Sequence, residues 1–131
     1  MTYTLSTTVN APYGETVDAT RDALAEQGFG ILTEIDLKAT LKEKLDVDVV
    51  PQVILGACRP QLAHQALVID PSIAAVLPCN VVVRSVDEQT TVVESFDPNA
   101  MTRLAGDAFC DVAADARQRL DAALDTLGGD R

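Results

Sequence analysis

Two cysteines in the middle of the chain carry its most distinctive chemistry. Cys58 ends the run Val53-Ile54-Leu55-Gly56-Ala57 and precedes Arg59-Pro60, whereas Cys79 follows Leu77-Pro78 and opens Asn80-Val81-Val82-Val83. Each thiol stands where an apolar, strand-like run meets a proline that punctuates the chain, a placement that lets both face one shared cleft. They are 21 positions apart, and neither belongs to a Cys-x-x-Cys pair, so the usual zinc and thioredoxin-type spacings are absent. Three chemistries fit them. One is a transition-metal site built on Cys58, His64 and Cys79, with Glu34 or Asp36 completing a mixed sulfur, nitrogen and oxygen set. The second is redox work, in which a helix N-terminus and Arg59 would favour the Cys58 thiolate. The third makes both thiols small hydrophobes at strand ends. Cys110, beside Phe109 in a helical stretch, is expected to be structural.

Glu34, Asp36 and Lys38 form a charged cluster at a strand-to-helix junction. Asp36 is a good N-cap, and Glu34 with Lys38, four apart, would make an exposed ion pair worth a fraction of a kcal/mol. The same junction opens at a strand end, where small-molecule pockets form, so a ligand-binding or acid/base role is the alternative. His64 is the one histidine, and its setting between Gln61 and Gln65 predicts an exposed side chain. Gly-x-Ser-x-Gly, P-loop, Gly-x-Gly-x-x-Gly and His-Glu-x-x-His motifs are all missing.

The elements that position these residues come from a chain of ordinary globular composition: 131 residues, 47% hydrophobic and 23% charged, enough for one domain spanning 1–131. Aromatic residues make up 4%, with no Trp, so the core is aliphatic and platforms for base stacking are few. Twenty acidic residues against ten basic ones give a net charge of −10, which argues against nucleic-acid and anionic-membrane partners. Only three residues are lysines, and the excess of acid predicts a salt-adapted host, an ordinary acidic protein being the alternative. The start, Met1-Thr2-Tyr3-Thr4-Leu5, has no basic or apolar targeting segment, and no apolar run is long enough to span a bilayer. A cytoplasmic location is expected, where thiols stay reduced and a disulfide framework has no role.

Alternation predicts a strand over residues 3–9, followed by a helix over 12–27 that stops at Gly28. A second strand covers 29–35, and Leu37, Leu41 and Leu45 then mark one face of a short helix capped by Asp36. A third, interior strand is expected over 49–55, a helix over 61–69 begun by Pro60, and one helical turn begun by Asp70-Pro71. Residues 80–86 and 90–96 flank Asp87-Glu88-Gln89 as a hairpin. A C-terminal helix carries Phe109, Val112, Ala116, Leu120, Ala123 and Leu127 inward and ends at Gly128-Gly129. The predicted order is β-α-β-α-β-α-β-β-α, an α+β domain with about five mostly antiparallel strands and helices packed on one face.

Three ordered blocks, Gly28-Phe29-Gly30-Ile31-Leu32-Thr33-Glu34-Ile35-Asp36-Leu37-Lys38, Ile54-Leu55-Gly56-Ala57-Cys58 and Leu77-Pro78-Cys79-Asn80-Val81-Val82-Val83, resemble the signature of the family called domain of unknown function 302. The resemblance spans nearly the whole chain. It implies a compact prokaryotic α+β domain that self-associates and has no assigned activity. Two positions depart from the family pattern: Arg59 replaces an Asn that would cap the next helix, and Asp46 replaces a Gly that would end the second one. The reading that results is a cytoplasmic, self-associating binding module, a homodimer, with a small-ligand cleft drawn from Glu34, Asp36, Lys38, Cys58, Arg59, Cys79 and Asn80 and with no resident cofactor. The competing reading is a thiol redox or metal-binding protein using Cys58 and Cys79.

Overall fold

The structure, a computed structural model, describes residues 3–128; the expected start of the chain at Met1-Thr2 and the stop at Gly129 lie outside the described residues. Five strands, β1 (Thr4–Val9), β2 (Gly30–Asp36), β3 (Gln52–Cys58), β4 (Cys79–Asp87) and β5 (Thr90–Phe96), form one sheet in the order β1-β5-β4-β3-β2, every pair antiparallel. The helices are α1 (Tyr13–Glu26), α2 (Leu37–Leu45), α3 (Pro60–Ile69), α4 (Asn99–Ala105) and α5 (Cys110–Gly128), with short 3₁₀ turns at Pro71–Val76 and Asp107–Phe109. The α+β class and the strand-helix order agree with the sequence reading, as does the turn begun by Asp70-Pro71; α4 and the turn at Asp107–Phe109 are added. No helix among the described residues is long and apolar enough to cross a membrane.

Period-two burial shows how the sheet is used. Val53, Val83, Val93 and Thr7 form one buried row across four strands, and Leu55, Val81, Ser95 and Leu5 form the next. The alternate rows, Ile35-Ile54-Val82-Glu94-Ser6 and Gln52-Arg84-Val92-Thr8, remain half-buried or exposed. The buried rows join Ala23, Leu24, Leu120 and Leu124 from α1 and α5 in one apolar cluster, and Leu62, Ala66, Met101, Phe109, Val112 and Ala116 form a second.

Local chemistry accounts for most boundaries. Gly28 adopts φ +84° after α1, the left-handed stop that favours glycine. Asp36 accepts the Ala39 N–H at 2.9 Å and so caps α2, while Asp70 accepts the Ser72 N–H at 3.0 Å. β3 runs three residues later than predicted because Pro51 has no N–H to give to a ladder, so pairing begins at Gln52 opposite Arg84. The Leu37, Leu41 and Leu45 stripe does not enter the core: no residue of α2 is buried. Cys110 also departs from expectation, being exposed at the start of α5 while its neighbour Phe109 is buried.

Candidate functional site

The antiparallel β3–β4 ladder brings the two thiols to one end of the sheet. Ala57 stands directly opposite Cys79, and Cys58, the next residue, pairs on its other side with Gly30 of β2. The connection between them, α3 and the turn that follows, folds back over this end. The result is a pocket of about 30 Å³ at the seam between the two apolar clusters, walled by Phe29, Leu62, Ala66, Pro78 and Met101 and lined also by Cys58, Arg59 and Cys79. The Leu77–Pro78 bond is cis.

Arg59 occupies the N-cap of α3 without a side-chain cap bond, consistent with its lack of an acceptor oxygen. Its guanidinium turns outward, Nη1 donating to Gln61 Oε1 at 3.0 Å, and lies so close to Gly28 that a Cβ there would stand 3.2 Å from Nε. Nε itself is buried and has no hydrogen-bond partner.

The Cys58 activation that the redox alternative calls for is not what this arrangement produces. Burial pushes the Cys58 thiol up from its ordinary value, and burial followed by the neighbouring Cys58 pushes Cys79 to about 11. The backbone offers nothing to set against that burial: Pro60 has no N–H, and the Leu62 and Ala63 N–H groups both donate to Arg59 O at 3.0 Å. The amide donors of the first turn thus serve the backbone rather than a thiolate.

The other sequence candidates lie elsewhere. Glu34 and Asp36 are on the helix side of β2, opposite Leu55 and Val53 and so three and five β3 residues from Cys58, or about 10 Å and about 17 Å at roughly 3.4 Å per residue. With Tyr13, Asp18 and Val53 they line an open groove of about 410 Å³. Burial first, then Asp36 and Glu34, hold the Tyr13 hydroxyl above its ordinary pKa. A β2 irregularity between Ile31 and Thr33 puts Glu34 on that side, where it pairs with Arg21 of α1. The expected Glu34–Lys38 pair is therefore replaced: Lys38 Nζ instead donates to Val49 O at 3.0 Å. Asn80 is exposed and borders a third depression with Thr4, Val82 and Glu94. His64 is exposed on α3, and no group of three or more His, Cys, Asp or Glu among the described residues could hold a metal ion. The structure thus joins Cys58, Arg59 and Cys79, and adds Met101 and Pro78. It leaves Glu34, Asp36, Lys38 and Asn80 apart from them.

Comparison with solved structures finds a crystal structure of an uncharacterized conserved protein DUF302 from Bacillus stearothermophilus, 30% identical, with a TM-score of 0.88 over 97% of this chain and 99% of that one. Comparison with curated proteins finds no match. The sequence profile described as Domain of unknown function DUF302 matches residues 5–127, nearly the whole chain, and it is to that family that the protein belongs.

Proposed function

We propose that this chain is a cytoplasmic binding module whose ligand seat is the pocket shared by Cys58, Arg59 and Cys79. One observation supports the seat above all: Cys58, Cys79 and Arg59, whose Nε is buried without a partner, line a single apolar pocket. An unmet buried donor costs about 1–3 kcal/mol, and a ligand that brings negative charge or an acceptor relieves it. The volume narrows the ligand. A pocket of about 30 Å³ has room for one or two water-sized groups, hence an ion or one small group rather than a metabolite. The test is a native mass spectrum of protein freshly purified without added metal or oxidant. The expected result is a mass excess that disappears in Cys58→Ser and in Cys79→Ser; a clean apo mass would remove the reading.

A different observation supports self-association. In the two half-buried to exposed rows Ile35-Ile54-Val82-Glu94-Ser6 and Gln52-Arg84-Val92-Thr8, the charged side chains are Arg84 and Glu94, which pair at 3.3 Å, in a chain of net charge −10. Two copies can therefore meet there without the repulsion that their other surfaces impose. Ile54, Val82 and Val92 supply half-buried apolar area on that face, and Ile35 extends it over β2. Sedimentation velocity at micromolar concentration is expected to show a dimer that Val82→Glu converts to monomer. A wild-type monomer under those conditions would rule the dimer out.

A further inference from the structure

We propose that the pocket at the Cys58 end of the sheet binds one soft, closed-shell monovalent metal ion, copper(I) being the type case, between the sulfurs of Cys58 and Cys79. The inference rests on the pocket being the ligand seat and names the class of ligand that it takes.

The donor set makes the first selection. Of the five sulfur-bearing residues in the chain, Cys58, Cys79 and Met101 all line this one pocket, and Met101 is buried. No histidine or carboxylate lines it: His64 is exposed, and the Glu34 and Asp36 groove lies toward the other end of β2. Zinc in a structural site takes four ligands, and calcium or magnesium takes six or more oxygens. Thiolate and thioether sulfur favours soft ions, and a d¹⁰ monovalent ion is satisfied by two thiolates in line, with a thioether as a weak third donor.

Size and charge make the second selection. The pocket admits an ion without its hydration shell, and its walls are apolar. On binding, each thiol releases its proton to solvent as its sulfur bonds to the metal, so Cu⁺ and two R–SH give [Cu(SR)₂]⁻ and two H⁺. Copper remains in the +1 state throughout, and no oxidant or reductant takes part. The complex carries one negative charge. Arg59, which also lines this pocket and whose Nε is buried without a partner, supplies the compensating cation. This gives a role to the residue that departs from the family pattern at this position.

The experiment is an anaerobic copper(I) titration against a chromogenic copper(I) chelator, in a Cys110→Ser background that removes the exposed thiol. The expected result is one copper(I) per chain, near-ultraviolet thiolate-to-copper absorption, and no displacement by zinc(II). Cys58→Ala and Cys79→Ala should each abolish the absorption, and Arg59→Gln should weaken binding about tenfold. Cys58 is at the pocket edge, so its variant keeps the test valid should the Cys79 variant fold poorly; thermal melts establish which variants are folded. Failure of the folded wild-type pocket to bind one equivalent, or retention of the absorption in Cys58→Ala, overturns the inference. If the native mass spectrum nevertheless shows a different, cysteine-dependent adduct, the ligand seat stands and only the copper assignment falls. Absence of both removes both.

Discussion

Pro78 lies over Gly56: a Cβ built on Gly56 would stand 2.9 Å from Pro78 Cγ and would collide with the Thr33 hydroxyl. Because Pro78 immediately precedes Cys79, this contact sets where β4 enters the sheet and where the second thiol sits. Gly56→Ala is expected to destabilise the protein by about 1–3 kcal/mol through overpacking against a ring that cannot bend away. Denaturant titration and the alkylation rate of Cys79 check it, the first falling and the second rising as the pocket loosens. Unchanged values for both would mean that Pro78 does not fix Cys79.

The two thiols make stability fall at high pH. In the metal-free native protein burial holds Cys58 protonated above its ordinary value of 9.0, and holds Cys79 so up to about 11. The unfolded chain releases those protons first, so the native state binds more protons and unfolding becomes easier as pH rises from 9 to 11. The stabilisation is fully present below pH 9, and Cys79 accounts for a loss of up to about 3 kcal/mol by pH 11. Denaturation at stepped pH, comparing wild type with Cys79→Ala, should show a shallower decline in the variant. Equal slopes would contradict the prediction.

Asp97 is a buried carboxylate tied at both oxygens: Oδ1 accepts the Asn99 N–H at 2.9 Å and Oδ2 accepts from Arg117 Nη1 at 3.1 Å. This joins α5 to the corner between β5 and α4. Arg117→Met leaves the buried carboxylate without its cation, and a loss of about 1–3 kcal/mol is expected, reduced from the full burial penalty because Arg117 is itself 38% exposed. Arg119→Met, which breaks the more exposed pair with Asp115, should cost less than about 1 kcal/mol. Equal losses in the two variants would show that the burial of Asp97 does not matter.

Glu15, Asp18, Asp22 and Glu26 run along the exposed side of α1 at helical spacing, and the cation that α1 itself carries, Arg21, pairs with Glu34 instead. Like charges four apart destabilise a helix, and the last turn has no basic residue of its own, although Arg119 of α5 donates to the C-cap carbonyl, Gln27 O, at 3.3 Å. Adding potassium chloride to molar concentration should therefore raise Tm, and Asp22→Lys should raise it at low salt by the equivalent of roughly 0.5 kcal/mol. The advantage of Asp22→Lys should shrink as salt screens both charges. A Tm insensitive to salt would exclude repulsion on α1 as a limit on stability.

Much of this architecture was legible in the residues because the signals are local. Thr4–Val9 and Thr90–Phe96 alternate with period two, Gly28 stops α1, Asp36 caps α2, and Pro60 and Pro71 open helical turns, each through chemistry within a few positions. The three ordered blocks around Gly30, Gly56 and Pro78 also carried the family. Two proline-flanked strand ends allow Cys58 and Cys79 to share a cleft without requiring it; both line one pocket. The stripe on α2 misled, because spacing shows that Leu37, Leu41 and Leu45 share a face but not that the fold supplies anything to cover it.

By itself, then, the sequence determined the elements, the aliphatic core, the acidic surface and the pairing of two thiols with turns. Only the tertiary structure decided which charged residues accompany those thiols. Antiparallel register sends Glu34 and Asp36 to one end of β2 and β3 and Cys58 to the other, and a single irregularity after Ile31 turns Glu34 toward Arg21 rather than Lys38. Register and strand order depend on pairings between segments tens of residues apart, whose energies are sums over whole faces, and no local spacing records them. The unpartnered Nε of Arg59 is of the same kind, since burial without a partner is a property of everything packed around an atom.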